Sequence, residues 1–214
     1  MAAVEHPGSV EQSPPPAAAV VADPAPLGLA GFGITTLVLS VFNAKILNGA
    51  GEPVVFGLAI AYGGGAQLLA GMWEFRNNNT FGATAFTSYG AFWISFWFLT
   101  HFDAGNITGD AGNAIGLYLV AWGIFTTYMF VASLGVSGAV ATVFFLLTVT
   151  FFLLGIGEWA AYTNVHKAGG YVGLATAAAA LYTSFAIVTN STFKRTVLPT
   201  WPFARPLGKA SFVR

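Results

Sequence analysis

Hydroxyls and carboxamides, not charges, are the groups in this chain best placed to handle a solute. Phe32, Thr35, Thr36, Leu39 and Asn43 recur at helical spacing and share one face. The stretch AYGGGAQLLAGMWEF offers Tyr62 and Gln67 on a stripe with Gly63, Ala70, Gly71 and Glu74. TFGATAFTSYGAFWISFWF sets Thr84, Thr87, Ser88, Ala91 and Ser95 on a narrow polar face, beside an aromatic stripe of Phe86, Tyr89, Phe92, Trp93 and Phe96. Such neutral donors can replace part of an anion's hydration without a fixed cation. The same hydroxyls can also bond back to their own helix, and small residues at four-residue spacing let helices pack closely. The Tyr89 hydroxyl needs a partner wherever it is buried.

These faces lie in segments whose composition suits lipid. The chain has 214 residues, is 56% hydrophobic and 15% aromatic, and has only 7% charged residues. A soluble domain carries about a quarter charged residues. An integral membrane protein is therefore expected. The formal net charge is zero, with no basic tract, zinc-ligand spacing or cofactor motif, so nucleic-acid binding, a metal and a cofactor have no support. No cysteine is present, which excludes thiol catalysis and disulfides. His6 precedes the apolar segments, His101 ends one and His166 lies between two, which argues against a haem protein.

A spanning helix needs about 20 mostly apolar residues. Six segments qualify, near 27–47, 54–73, 81–100, 114–134, 138–157 and 168–189. Their short links predict an all-α bundle with sequence neighbours adjacent in space. Residues 1–22 read as a disordered tail without the features of a secretory signal. Residues 23–190 read as the transmembrane domain and 191–214 as a second tail. An even number of spans puts both termini on one side, with Arg76, Lys194, Arg195, Arg205, Lys209 and Arg214. The other side has Lys45 and Lys167. This bias makes the termini cytoplasmic and the membrane a plasma membrane, or the inner membrane of a bacterium.

No Asp, Glu, Lys, Arg or His occurs from 111 to 157. A relay of buried carboxylates is therefore not expected. The first span opens with DPAPLGLAGFG. Asp23 is a helix cap, Pro24 and Pro26 suit the first turn, and Gly28 keeps that turn thin. The turn reads as structural, or as a seat for a small anion. Gly169 and Gly173 in the sixth span read as a close helix contact, within a protomer or between protomers.

DPAPLGL resembles the NPAPLGL signature of the acetate uptake transporter family, which includes the succinate–acetate permeases. YGGGAQ, TFGATAFTSYGAFW and RTVLP resemble the same family, in order, from Asp23 to Pro199. Asp23 departs from the signature's Asn. Both residues cap helices, but a carboxylate would repel an approaching anion, which favours a structural role. The resemblance implies a six-helix protomer with its own path, assembled with lipid around it as a homo-hexamer. Its substrates would be acetate, and succinate or other short carboxylates. It further implies a hydrophobic constriction at Phe32, Tyr89 and Leu147, Leu147 resting on the loosest alignment because Leu146 and Thr148 adjoin it. The expectation is a non-enzymatic carboxylate channel or proton-coupled permease with a polar-neutral path. The alternatives are a small neutral-solute pore for water or ammonia and a non-transporting acetate sensor.

Overall fold

The computed structural model describes residues 21–107 and 109–203. Six long helices run through them: α1 (Ala25–Asn43), α2 (Val54–Arg76), α3 (Thr80–Phe98), α4 (Ala111–Ser133), α5 (Gly138–Trp159) and α6 (Thr163–Phe193). All but α3 are long and apolar enough to cross a membrane. The hydroxyl and Trp content of α3 makes it the least apolar, and eight of its residues are buried inside the bundle. Residues 1–20 of the expected tail, His6 among them, lie outside the described residues, as do Arg205, Lys209 and Arg214.

The element starts follow local chemistry. Asp23 Oδ1 accepts from the Ala25 amide at 2.9 Å, anchoring α1, and prolines precede and occupy its first turn. Asn79 Oδ1 accepts from Gly82 N at 3.2 Å to cap α3, and Ser137 Oγ accepts from Val140 N at 3.3 Å to cap α5. The glycine run of α2 relaxes into a π-helical stretch, Ala61–Ala66. Such stretches commonly mark functional sites.

α6 begins at Thr163, well before the expected boundary near 168, so His166 belongs to its first turns and not to a loop. With 31 residues it is about 46 Å long at 1.5 Å per residue, more than a hydrocarbon core of about 30 Å. Past Lys194, in left-handed backbone with φ 55°, the chain folds back. Asn190 holds Val197 N and Leu198 N at 2.7 and 2.9 Å, Tyr182 donates to Pro199 O at 2.8 Å, and Gly138 N donates to Trp201 O at 2.8 Å.

Each helix packs on its neighbours in sequence, and α6 closes the ring on α1. Glycines allow the nearest approaches. A Cβ on Gly28 would stand 2.5 Å from the Phe86 ring, and one on Gly63 would stand 2.7 Å from Thr35 Oγ1. Gly169 faces Leu154 of α5, and Gly173 faces Ser40 of α1. The small-residue pair of α6 therefore serves contacts within the protomer. The centre of the ring is apolar and aromatic, with Phe32, Tyr89, Phe92, Phe144, Leu147 and Phe151 in one buried cluster.

Candidate functional site

Two chambers occupy the middle of the ring. The larger, about 280 Å³, reaches the end formed by Lys45, Gly49, Glu52, Glu158 and His166. Its wall includes Thr36, Ser40, Phe92, Trp93, Phe96, Tyr118 and Thr150. The smaller, about 20 Å³, lies toward the termini and is lined by Leu29, Gln67, Ala85, Phe86, Tyr89, Val143 and Phe144. Phe32 and Leu147 line both. They and Tyr89 are 5%, 4% and 2% exposed, and the Phe32 and Tyr89 rings sit 5.9 Å apart between centroids. The three residues expected at a constriction are thus brought together where one chamber gives way to the other.

The register at α5 follows from burial. Leu147 points inward between the chambers, whereas Leu146 and Thr148 are half-buried and line neither. Tyr89 is braced on all sides by Trp122, Phe125 and Phe144, with centroids 6.1, 5.4 and 6.0 Å away. Its hydroxyl lies 2.9 Å from Thr126 Oγ1, which itself donates to Trp122 O at 2.7 Å. The phenol is thereby tied to α4 and its ring, not its hydroxyl, bounds the space between the chambers.

The expected path residues divide into two groups. Thr36 and Asn43 line the larger chamber and Gln67 the smaller. Thr36 Oγ1 and Gln67 Oε1 are buried without a partner in the protein. Thr35, Tyr62, Thr84, Thr87 and Ser88 are not among the residues lining either chamber. Thr35 is fully buried, donates to Gly31 O at 2.8 Å and packs on Gly63. The Tyr62 carbonyl faces Gly31, and Thr87 packs on Gly71. Thr84 and Ser88 are half-buried on the side of α3 that carries exposed Ala91. The aromatic stripe of α3, not its hydroxyl stripe, borders the chambers. The reason is steric: the small and hydroxyl-bearing side is where α2 approaches or where α3 meets its surroundings.

Three features escaped the sequence reading. Phe92, Trp93 and Phe96 were visible as part of an aromatic stripe, but their place beside Tyr118 in the wall of the larger chamber was not. Glu74, at a span end, is 1% exposed, with Oε2 accepting from Asn79 Nδ2 at 2.9 Å. The third is the ionic mouth. His166 Nδ1 lies 2.8 Å from Glu158 Oε1, an ion-pair contact rather than an aligned hydrogen bond, and His166 Nε2 is 3.4 Å from Asn43 Oδ1. Burial pushes the Glu52 carboxyl above its usual range, against the pull of Lys45 and His166. The available signal was that Lys45, Glu52, Glu158 and His166 all fall at the same end of the spans.

A six-helix ring with two chambers meeting at an apolar neck has the form of a membrane conduit. The profile of the GPR1/FUN34/yaaH family matches residues 7–205, and the chain belongs to this family. It is 43% identical over 181 residues to the succinate-acetate/proton symporter SatP of Escherichia coli, covering 84% of this chain and 95% of that protein. It is 41% identical over 191 residues to the ammonia transport outward protein 2 of Saccharomyces cerevisiae, covering 86% of this chain and 67% of that protein. The solved structure of the bacterial acetate channel SatP superposes with a TM-score of 0.79 at 41% identity, covering 85% of this chain and 99% of that one. The chain is an all-helical membrane protein of a family whose relatives include transporters and channels.

Proposed function

We propose that this chain carries acetate, and succinate or other short carboxylates, across a membrane, and that it is not an enzyme. The observation that carries this reading is an apolar neck with one neutral polar side chain, Thr36 or Gln67, buried on either side of it. Thr36 offers a free hydroxyl on one side of Phe32, Tyr89 and Leu147, and Gln67 a buried amide on the other. Moving a bare carboxylate through an apolar site without such partners is very costly. The Thr36 hydroxyl on one side and the Gln67 NH2, when turned to the substrate, on the other shorten the desolvated step to the neck itself, and weak binding lets the substrate leave again. The similarity to the SatP symporter and the SatP channel supports carboxylate as the solute class.

The same reading assigns the constriction to Phe32, Tyr89 and Leu147 and the path to Thr36, Asn43 and Gln67. Thr35, Tyr62, Thr84, Thr87 and Ser88 serve helix packing, and Asp23, Pro24, Pro26 and Gly28 build the cap and first turn of α1. Residues 1–22 and 191–214 are cytoplasmic tails on the transmembrane domain 23–190. The six basic residues at the termini side support that orientation, in a plasma or bacterial inner membrane. The assembly is a homo-hexamer in lipid, with one path in each protomer.

A neck without charge suits ammonia as well, and one relative bears an ammonia-transport name. Proteoliposomes decide between the two. Labelled acetate uptake above empty vesicles, reduced by Thr36→Val and by Gln67→Leu, is the expected result. Ammonia flux without acetate flux in the wild-type protein would overturn the carboxylate reading. Accumulation that follows an imposed pH gradient and collapses with a protonophore, after subtraction of acetic-acid leak, separates symport from a simple channel.

A further inference from the structure

The mouth of the larger chamber contains a histidine held between two oxygens, and that arrangement has two proton states. His166 Nδ1 faces Glu158 Oε1 at 2.8 Å and Nε2 faces the Asn43 side-chain amide at 3.4 Å. The backbone that carries the ring is held close to α5: a Cβ on Gly157 would stand 2.6 Å from the His166 backbone N. Asn43, Glu158 and His166 all line the chamber.

A neutral imidazole has one N–H and one lone pair, whereas an imidazolium has two N–H groups. The ionised Glu158 carboxylate, 2.8 Å from Nδ1, can only accept, so it favours a proton on Nδ1 in either state. Nε2 therefore changes role on protonation. Without its proton it accepts from the NH2 of Asn43, whose carbonyl oxygen is then left for the chamber. With its proton it donates to Asn43 Oδ1, and the NH2 is left for the chamber. A carboxylate meets an acceptor in the first state and a donor in the second.

Charge acts in the same direction. The groups around His166 are Lys45 after α1, Glu52 before α2 and Glu158 on α5. With Glu52 and Glu158 ionised and His166 neutral, the mouth has a net charge of −1. Protonation of His166 brings it to zero. We propose that His166, paired with Glu158 and sharing the Asn43 amide, is the proton-binding site of the transport path, and that its protonation opens the far mouth to a carboxylate. The inference rests on the carboxylate-transport reading and adds to it the place where the proton binds.

Linkage makes this testable without transport, since a proton that favours acetate must itself be favoured by acetate to the same degree. Wild-type protein in lipid nanodiscs, with isotope-labelled histidine, is titrated by NMR between about pH 5 and 8 in saturating acetate or in equal chloride. The His166 signal is assigned by its loss in His166→Gln, with His6→Gln and His101→Gln identifying the others. Acetate should raise the His166 midpoint by about one unit, a coupling of about tenfold. An unchanged midpoint overturns the proposal, and this reading needs only the wild-type protein to fold. In Asn43→Leu the midpoint should no longer respond to acetate; a full response there overturns the amide's part. Proteoliposomes separate the two levels of inference. Wild-type vesicles that carry no acetate end the transport reading. Wild-type vesicles that carry acetate, with a His166→Gln flux profile that still rises toward acid as in the wild type, end only the proton site.

Discussion

The hydroxyls of Tyr89 and Thr126 stand 2.9 Å apart, and Tyr89 is the donor because Thr126 already gives its proton to Trp122 O. The bond directs the hydroxyl toward α4 and holds the ring at the neck. Tyr89→Phe keeps the ring and removes the bond, so it should cost about 1 kcal/mol of stability. Thermal unfolding in detergent measures that loss, and a midpoint equal to the wild type would contradict the assignment. Tyr89→Ala removes the ring and should increase the uptake of succinate relative to acetate in vesicles.

Leu147 and its neighbour give a test of register. Leu147 separates the chambers, whereas half-buried Leu146 lines neither. Leu147→Ala should join the chambers and raise acetate flux, with a stability cost near the lower end of about 2–5 kcal/mol because voids already border the side chain. Leu146→Ala should leave flux near the wild-type value. The opposite order would move the neck by one residue on α5.

Much of this arrangement was legible in the sequence. Six apolar runs gave six helices because a spanning segment must satisfy its own backbone. The buried stripe of Gly63, Gln67, Ala70 and Gly71 was readable from spacing alone. The direction of each face was not, since a helix enclosed on several sides has little amphipathic contrast. On α3 both stripes could have faced inward, and the packing of Gly71 on Thr87 is a tertiary fact that no spacing contains. The ionic mouth was hidden for a different reason. Lys45 and Glu52 lie far along the chain from Glu158 and His166, and each taken alone looks like a solvated helix end.

Gly170 tests how tightly α6 closes the ring. A Cβ there would collide with the backbone of Asn43 and Ala44, which cannot move aside as a flexible side chain could. Gly170→Leu should cost more than about 4 kcal/mol, a size expected for overpacking against backbone, and should abolish a monodisperse peak in detergent. Gly105→Ala, with open space at its Cβ position, should stay within about 0.5 kcal/mol of the wild type. A well-folded Gly170→Leu protein would show that α1 and α6 do not meet at Ala44.

Glu52 gives the mouth a pH-dependent stability of defined sign. Burial raises its pKa above the ordinary carboxyl value of 4.5, outweighing the attraction of Lys45 and His166. A raised carboxyl pKa means that the folded protein binds this proton more tightly than the unfolded chain does. The resulting stabilisation is fully present below the unfolded pKa and is lost as pH rises through the folded one. At neutral pH the ionised, half-buried carboxylate therefore costs stability. Glu52→Gln should melt at a higher temperature than the wild type at pH 7, and the difference should shrink as the pH falls to about 4, below the unfolded pKa. Melting curves for both proteins across that window check the sign. A variant that melts lower than the wild type at pH 7 would show that the pairing with Lys45 outweighs burial.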